Sequence, residues 1–158
     1  MIRIDLDDPA RPDVHALLSE HLADMFATSP AESVHALDHS ALQHESITFW
    51  TAREDGVLLG CGALKVLGAS GEADQGEAEL KSMRTTSNAR GRGVATMLLE
   101  HIVAEARKRG YGRVALETGT EDYFAPARRL YAKHGFTECP PFADYTLDPN
   151  SVFMELPL

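Results

Sequence analysis

The residues Arg90-Gly91-Arg92-Gly93-Val94-Ala95 are the segment best suited to holding an anion. They stand between a run with strand character, Ala78 to Thr85, and a run with helical spacing that begins at Val94, so their backbone N–H groups can converge at a helix N-terminus. Gly91 and Gly93 remove the Cβ atoms that would keep an anion at a distance. The helix dipole favours negative charge there, and Arg90 and Arg92 add two cations. On its glycines alone the loop is equally consistent with a flexible connector. Two other phosphate loops fit poorly. A nucleotide-hydrolysing P-loop needs Lys and then Ser or Thr after its second Gly, and here Val94 and Ala95 follow. A dinucleotide-binding loop needs a third Gly at position 96, which is Thr.

Metal chemistry has less support. His35 and His39 are four apart and would share a helical face, with His44 nearby, but no cysteine or third well-spaced carboxylate accompanies them. No metal is expected, and these histidines are better suited to an acceptor pocket or a solvated face. Cys61 and Cys139 are far apart without paired spacing, which suits reduced thiols in a cytoplasmic protein.

Charge separates along the chain. The formal net charge is -9, which disfavours nucleic acid and membrane surfaces as general partners. Yet eleven of the fifteen Lys and Arg, and five of the twenty-four Asp and Glu, fall between Lys81 and Lys133. A polyanionic ligand would meet that central stretch, and a cationic one the remainder. An RNA-binding use of the basic stretch would need interleaved exposed aromatics, whereas the few aromatics are mostly at core spacing.

The elements that must position the loop follow from periodicity. Ile2, Ile4 and Leu6 alternate as a first strand. From Asp13, apolar residues at helical spacing run to the Thr28-Ser29-Pro30 stop. A shorter helical piece is expected from Ser33 to Gln43. Asp55-Gly56 joins two strand-like runs, Ile47 to Arg53 and Val57 to Val66, as a hairpin. Gly68 to Gly76 has loop composition. A strand from Ala78 to Thr85, a helix from Val94 to the Arg107-Lys108-Arg109-Gly110 stop, a strand from Arg113 to Thr118 and a helix from Ala125 to Lys133 follow. Two short strands, near Phe136 and at Ser151 to Leu156, complete the order. With 158 residues, of which 44% are hydrophobic, a single domain over 1–158 is expected. The order predicts an α/β sandwich: a mixed sheet of six or seven strands flanked by about four helices. Exposed sheet edges make a homodimer a fair expectation.

Arg90, Gly93 and Ala95 match the signature of the Gcn5-related N-acetyltransferase superfamily, which is Arg or Gln, two residues, Gly, one residue, then Gly or Ala. The segment Leu130-Tyr131-Ala132-Lys133-His134-Gly135-Phe136 is similar to the family's Leu-Tyr-x-x-x-Gly-Phe. The likeness is strong from about Glu79 to Phe136 and architectural before Phe49. It implies acetyl-CoA as co-substrate, with its pyrophosphate gripped by the amides of Arg90, Gly91, Arg92, Gly93, Val94 and Ala95. It also implies that the strand Leu80 to Thr85 pairs with pantetheine, with Met83 and Thr85 as contacts.

The same resemblance implies two catalytic groups. Tyr131 would protonate the departing thiolate. Glu79, eleven residues before Arg90, stands at the offset of the catalytic glutamate in the histone-acetylating branch and is the first candidate for general base. Glu77 and Glu117 are reserves. A backbone amide near Met83 would face the developing oxyanion. The tail from Phe142 to Glu155 resembles a group of bacterial members in which it borders the cleft, making Tyr123, Tyr145 and Asn150 acceptor-site candidates. One departure stands out: many members have Asn seven residues before the Tyr, where this chain has Phe124. The expected reaction is direct attack of a small-molecule or peptide primary amine on acetyl-CoA. The rival expectation is a coenzyme-A-binding regulatory module without turnover.

Overall fold

The computed structural model describes residues 1–67 and 76–158, so all of the expected Gly68 to Gly76 loop except Gly76 lies outside the described residues. Strand β1 (Ile2–Leu6) leads into helix α1 (Pro12–Thr28). Pro12 suits the first turn because the N–H it lacks would have no helical partner there. Ser29 ends the helix in an extended conformation, the one favoured before a proline such as Pro30. Strands β2 (Ile47–Glu54) and β3 (Val57–Leu67) form the expected hairpin. Asp55 and Gly56 both have positive φ, 52° and 80°, as a tight two-residue turn requires.

Strand β4 (Glu77–Thr85), helix α2 (Val94–Lys108), strand β5 (Arg113–Gly119), helix α3 (Ala125–Lys133) and strands β6 (Thr137–Glu138) and β7 (Ser151–Pro157) complete the chain. The seven strands form one sheet in the order β1-β2-β3-β4-β5-β7-β6. Neighbours are antiparallel except β4 and β5, whose parallel pairing uses α2 as the crossover. Leu98, Leu99 and Ile102 of α2 pack with Leu64, Leu80 and Leu116 on one side of the sheet. Val14, Leu17 and Leu18 of α1 pack with Phe49, Cys61 and Ala63 on the other. The sheet is thus covered on both faces, as an α/β sandwich should be.

The described residues hold three α-helices, against about four expected. Ser33 to Gln43 is not a helix: 3₁₀ turns occupy Ala31–Ser33 and Ala41–Gln43, and the residues between run without regular structure. Local polar groups compete with helical pairing here, since Asp38 accepts the Ala41 N–H through its side chain at 2.8 Å and Ser33 bonds to the distant Asp148.

Two irregularities shape the middle of the sheet. Pairing of β4 with β5 is confined to Glu77 through Glu79, opposite Arg113 through Ala115, although the strands continue to Thr85 and Gly119. Beyond Glu79 they diverge. On its other edge β4 carries a β-bulge: Cys61 pairs with Arg84 and Ala63 with Lys81, so Ser82 and Met83 together oppose Gly62. Ser82 adopts φ 57°. In consequence Glu79, Lys81 and Arg84 lie on the α1 face of the sheet, beside Cys61 and Ala63. Met83 turns to the α2 face, where a Cβ on Gly62 would stand 2.7 Å from its sulfur.

Candidate active site

The divergence of β4 and β5 opens a cleft of about 550 Å³. Its walls are Lys81 to Thr85 of β4 and Leu116 to Gly119 of β5, with α1, the segment around Ser33 to Ala36 and the tail at Tyr145 and Asn150. Because the strands do not pair there, their main-chain groups have no ladder partner in each other. An extended amide-bearing chain could occupy that edge.

At one end of the cleft stand Arg90 and Ala95. Gly91 and Gly93 have φ of 80° and 77°, a region that L side chains rarely adopt, and nothing lies within 4 Å of where a Cβ would stand. No side chain caps α2 at Gly93, so its first-turn amides stay available to an anion. These features fit a pyrophosphate. Gly91, Arg92, Gly93 and Val94 do not line the cleft itself. Arg92 pairs with Glu54 at 2.7 Å, and Val94 is buried in the core. Met83 and Thr85 line it, as does the buried Tyr131, whose hydroxyl burial pushes well above the usual phenol range.

At the other end the acidic groups meet. Glu79 is 2% exposed, and its carboxylate accepts hydrogen bonds from Lys81 Nζ at 3.1 Å and from the Tyr145 hydroxyl. Lys81 Nζ also donates to Tyr145 at 3.0 Å. Glu117 accepts from Ser151 Oγ at 2.7 Å, and burial is the largest influence on its carboxyl, pushing its pKa up to about 7 against the opposing Ser151 hydrogen bond. Glu77 lies at the closed end, paired with Arg113 at 2.9 Å.

Residues with no place in the sequence motifs line the α1 side of the cleft. Arg84, facing α1 because of the bulge, donates to Glu20 at 2.6 Å, to Asp24, and to the Tyr123 hydroxyl at 2.9 Å. His21 of α1 has its pKa pushed down to about 4, mainly by burial and then by Arg84. Ser33 Oγ donates to Asp148 at 2.6 Å and accepts from Asn150 Nδ2 at 3.3 Å, fastening the segment before β2 to the tail before β7. The histidines separate. His35 packs edge-on against Tyr145 at 4.9 Å within the cleft wall, His39 packs on His15 at 4.3 Å, and His44 Nδ1 is 2.8 Å from Ser46 Oγ. Among the described residues no three or more His, Cys, Asp or Glu side chains are grouped to hold a metal ion. Nor is any helix among them long and apolar enough to cross a membrane. Sequence offered one overlooked signal: Glu79 and Lys81 are two apart on a strand and so must share a face.

The sequence and fold resemble those of known proteins. The profile of the Acetyltransferase (GNAT) family matches residues 14–136. The chain is 50% identical over 153 residues to the Uncharacterized N-acetyltransferase YsnE of Bacillus subtilis (strain 168), covering 97% of each protein. It is 38% identical to the IAA acetyltransferase of Azospirillum brasilense, covering 99% of this chain and 98% of that one. Among solved structures, one assigned as an acyl-CoA N-acyltransferase from Klebsiella pneumoniae subsp. pneumoniae MGH 78578 superposes with a TM-score of 0.80 at 30% identity, covering 100% of this chain and 98% of that one. The chain belongs to the GNAT acetyltransferase family.

Proposed function

We propose that this GNAT chain acts as one N-acetyltransferase domain that moves the acetyl group of acetyl-CoA to a primary amine of a small molecule or peptide, with Glu117 and Tyr131 handling the protons. Glu117 is the observation that carries the reading. A general base works best when its pKa lies near the operating pH, and burial brings this carboxyl to about 7. Glu79 has a different part. Its carboxylate is held by Lys81 and Tyr145, so it orders the cleft floor, while Glu117 is the proton acceptor.

Acetyl-CoA supplies a thioester carbonyl open to direct attack. Glu117 takes one proton from the ammonium group, the freed nitrogen lone pair bonds to the carbonyl carbon, the carbon–sulfur bond breaks, Tyr131 gives its hydroxyl proton to the sulfur, and the second nitrogen proton returns to the Tyr131 oxygen. The raised Tyr131 pKa supports the transfer to sulfur, since the phenol then keeps its proton until needed. A backbone amide beside the Ser82–Met83 bulge serves the developing oxyanion, a contribution of about 3–4 kcal/mol in comparable acyl-transfer sites. Met83 and Thr85 hold pantetheine through their main chains, while Arg90, Gly91, Arg92, Gly93, Val94 and Ala95 hold the pyrophosphate. The free thiols of Cys61 and Cys139 suit a reducing, cytoplasmic compartment.

The test is release of coenzyme A thiol with a panel of primary amines. Tyr131→Phe should lower kcat by about a hundredfold with acetyl-CoA affinity unchanged. Equal turnover by wild type and Tyr131→Phe would remove Tyr131 from the mechanism. Acetyl-CoA binding without transfer to any amine would favour the regulatory module instead.

A further inference from the structure

The acceptor end of the cleft is short of free cations. Lys81 lies 3.1 Å from Glu79 and 3.0 Å from the Tyr145 hydroxyl. Both terminal nitrogens of Arg84 are engaged by Glu20, Asp24 and Tyr123, and its Nε is closed off from solvent. His21 is held neutral at physiological pH by burial. His35 stands edge-on to Tyr145 close to the Asp148 carboxylate. Among the described residues, then, Lys81 and Arg84, the Lys and Arg that line the cleft apart from Arg90 of the pyrophosphate loop, already have anionic or hydroxyl partners. Glu117 leaves a surplus of negative charge to meet an ammonium group. A carboxylate beside the amine nitrogen would be desolvated without a cation to receive it.

The rest of the wall is apolar and aromatic. Met25, Val34, Ala36, Tyr123 and Tyr145 line the cleft around these charges. Phe124 sits so close over Gly119 that a Cβ there would fall 2.1 Å from its ring. That ring extends the aromatic wall.

From this juxtaposition we infer that the acceptor is an arylalkylamine, a primary amine on an aromatic body with no carboxylate beside the nitrogen. The inference rests on the acetyl transfer proposed above and narrows it. Initial rates of thiol release with the full chain and acetyl-CoA would be compared for matched pairs: 2-phenylethylamine against L-phenylalanine, and tyramine against L-tyrosine. The amines should show kcat/KM at least about tenfold higher than their amino acids. Freeing Arg84 by Glu20→Ala with Asp24→Ala should narrow that ratio, because a cation then becomes available to the amino-acid carboxylate. Amino acids acetylated as well as the amines, an unchanged ratio in the double variant, or preference for spermidine over 2-phenylethylamine would each overturn the inference while leaving amine acetylation standing. Acetyl-CoA binding with no transfer to either member of a pair would overturn the inference, and absence of transfer across the whole amine panel would remove the transferase reading with it.

Discussion

The two ends of the cleft are built in opposite ways. The coenzyme end is local: β4, the glycine loop and the start of α2 are nearly continuous in sequence, and their contribution is main-chain geometry. The acceptor end is assembled from α1, the irregular segment before β2, the diverging halves of β4 and β5, and the tail before β7, and its contribution is side-chain chemistry. Ser33 and Asp148, 115 residues apart, meet there. A site made of backbone tolerates many side chains around it, whereas a site made of side chains on separate elements can be respecified by changing a few of them. Under the proposed reading, that difference would let one coenzyme grip serve many acceptors.

If the two ends are separable, Glu117→Gln should show it most strongly, cutting kcat by about a hundredfold or more while acetyl-CoA affinity by calorimetry stays put. In wild type kcat/KM should rise with pH through about 7, as the Glu117 carboxyl gives up its proton. Stability should move the other way. Across the window from the ordinary carboxylate value to about 7 the native state holds a proton that the unfolded chain has released, so stability falls as pH rises through it. At pH 8 Glu117→Gln should therefore be more stable than wild type, by at most about 3 kcal/mol in denaturant titrations. A larger kcat loss for Glu79→Gln than for Glu117→Gln would exchange the roles of the two acids.

Gly62→Ala strikes the strand that both ends share. Its Cβ would meet Met83 Sδ at 2.7 Å and Ile102 Cδ1 at 2.8 Å, side-chain atoms that can shift in part. Unfolding titrations should show a loss of about 1–3 kcal/mol, with both KM values raised through the displaced bulge. The smallest effect belongs to Ser33→Ala, which unfastens the segment before β2 from the tail. Loss of about 1 kcal/mol of hydrogen bonding should raise the acceptor KM roughly fivefold and leave the acetyl-CoA KM alone. A matching change in the acetyl-CoA KM would mean that the two ends are not independent.

This division also governs what could be read from the chain. The seven strands, the three long helices and the glycine loop follow from periodicity, caps and turn residues, all of which act over a few positions. Tyr131 was findable because its motif is contiguous. The Ser33 to Gln43 segment was not, because its conformation answers to Asp148 and Tyr145, residues far along the chain. The same holds for Glu117: nothing in its neighbours distinguishes it from other acids, and its raised pKa comes from burial that only the folded state creates. Glu79 was legible as an important acid, but the Lys81 and Tyr145 bonds that set its part depend on the tail folding back over β4.

A strand is a two-state alternation, and the left-handed residue at Ser82 works as a change of parity within it. Before it, odd positions of β4 face α1; after it, even ones do. Drawing that one residue back into regular extended geometry would leave the strand's composition intact yet send the Arg84 guanidinium toward the packed α2 side and the Met83 thioether toward the acids of α1. Two side chains chosen for opposite surroundings would trade places. The backbone conformation at a single position, rather than the strand's composition, therefore decides which surroundings each of them meets.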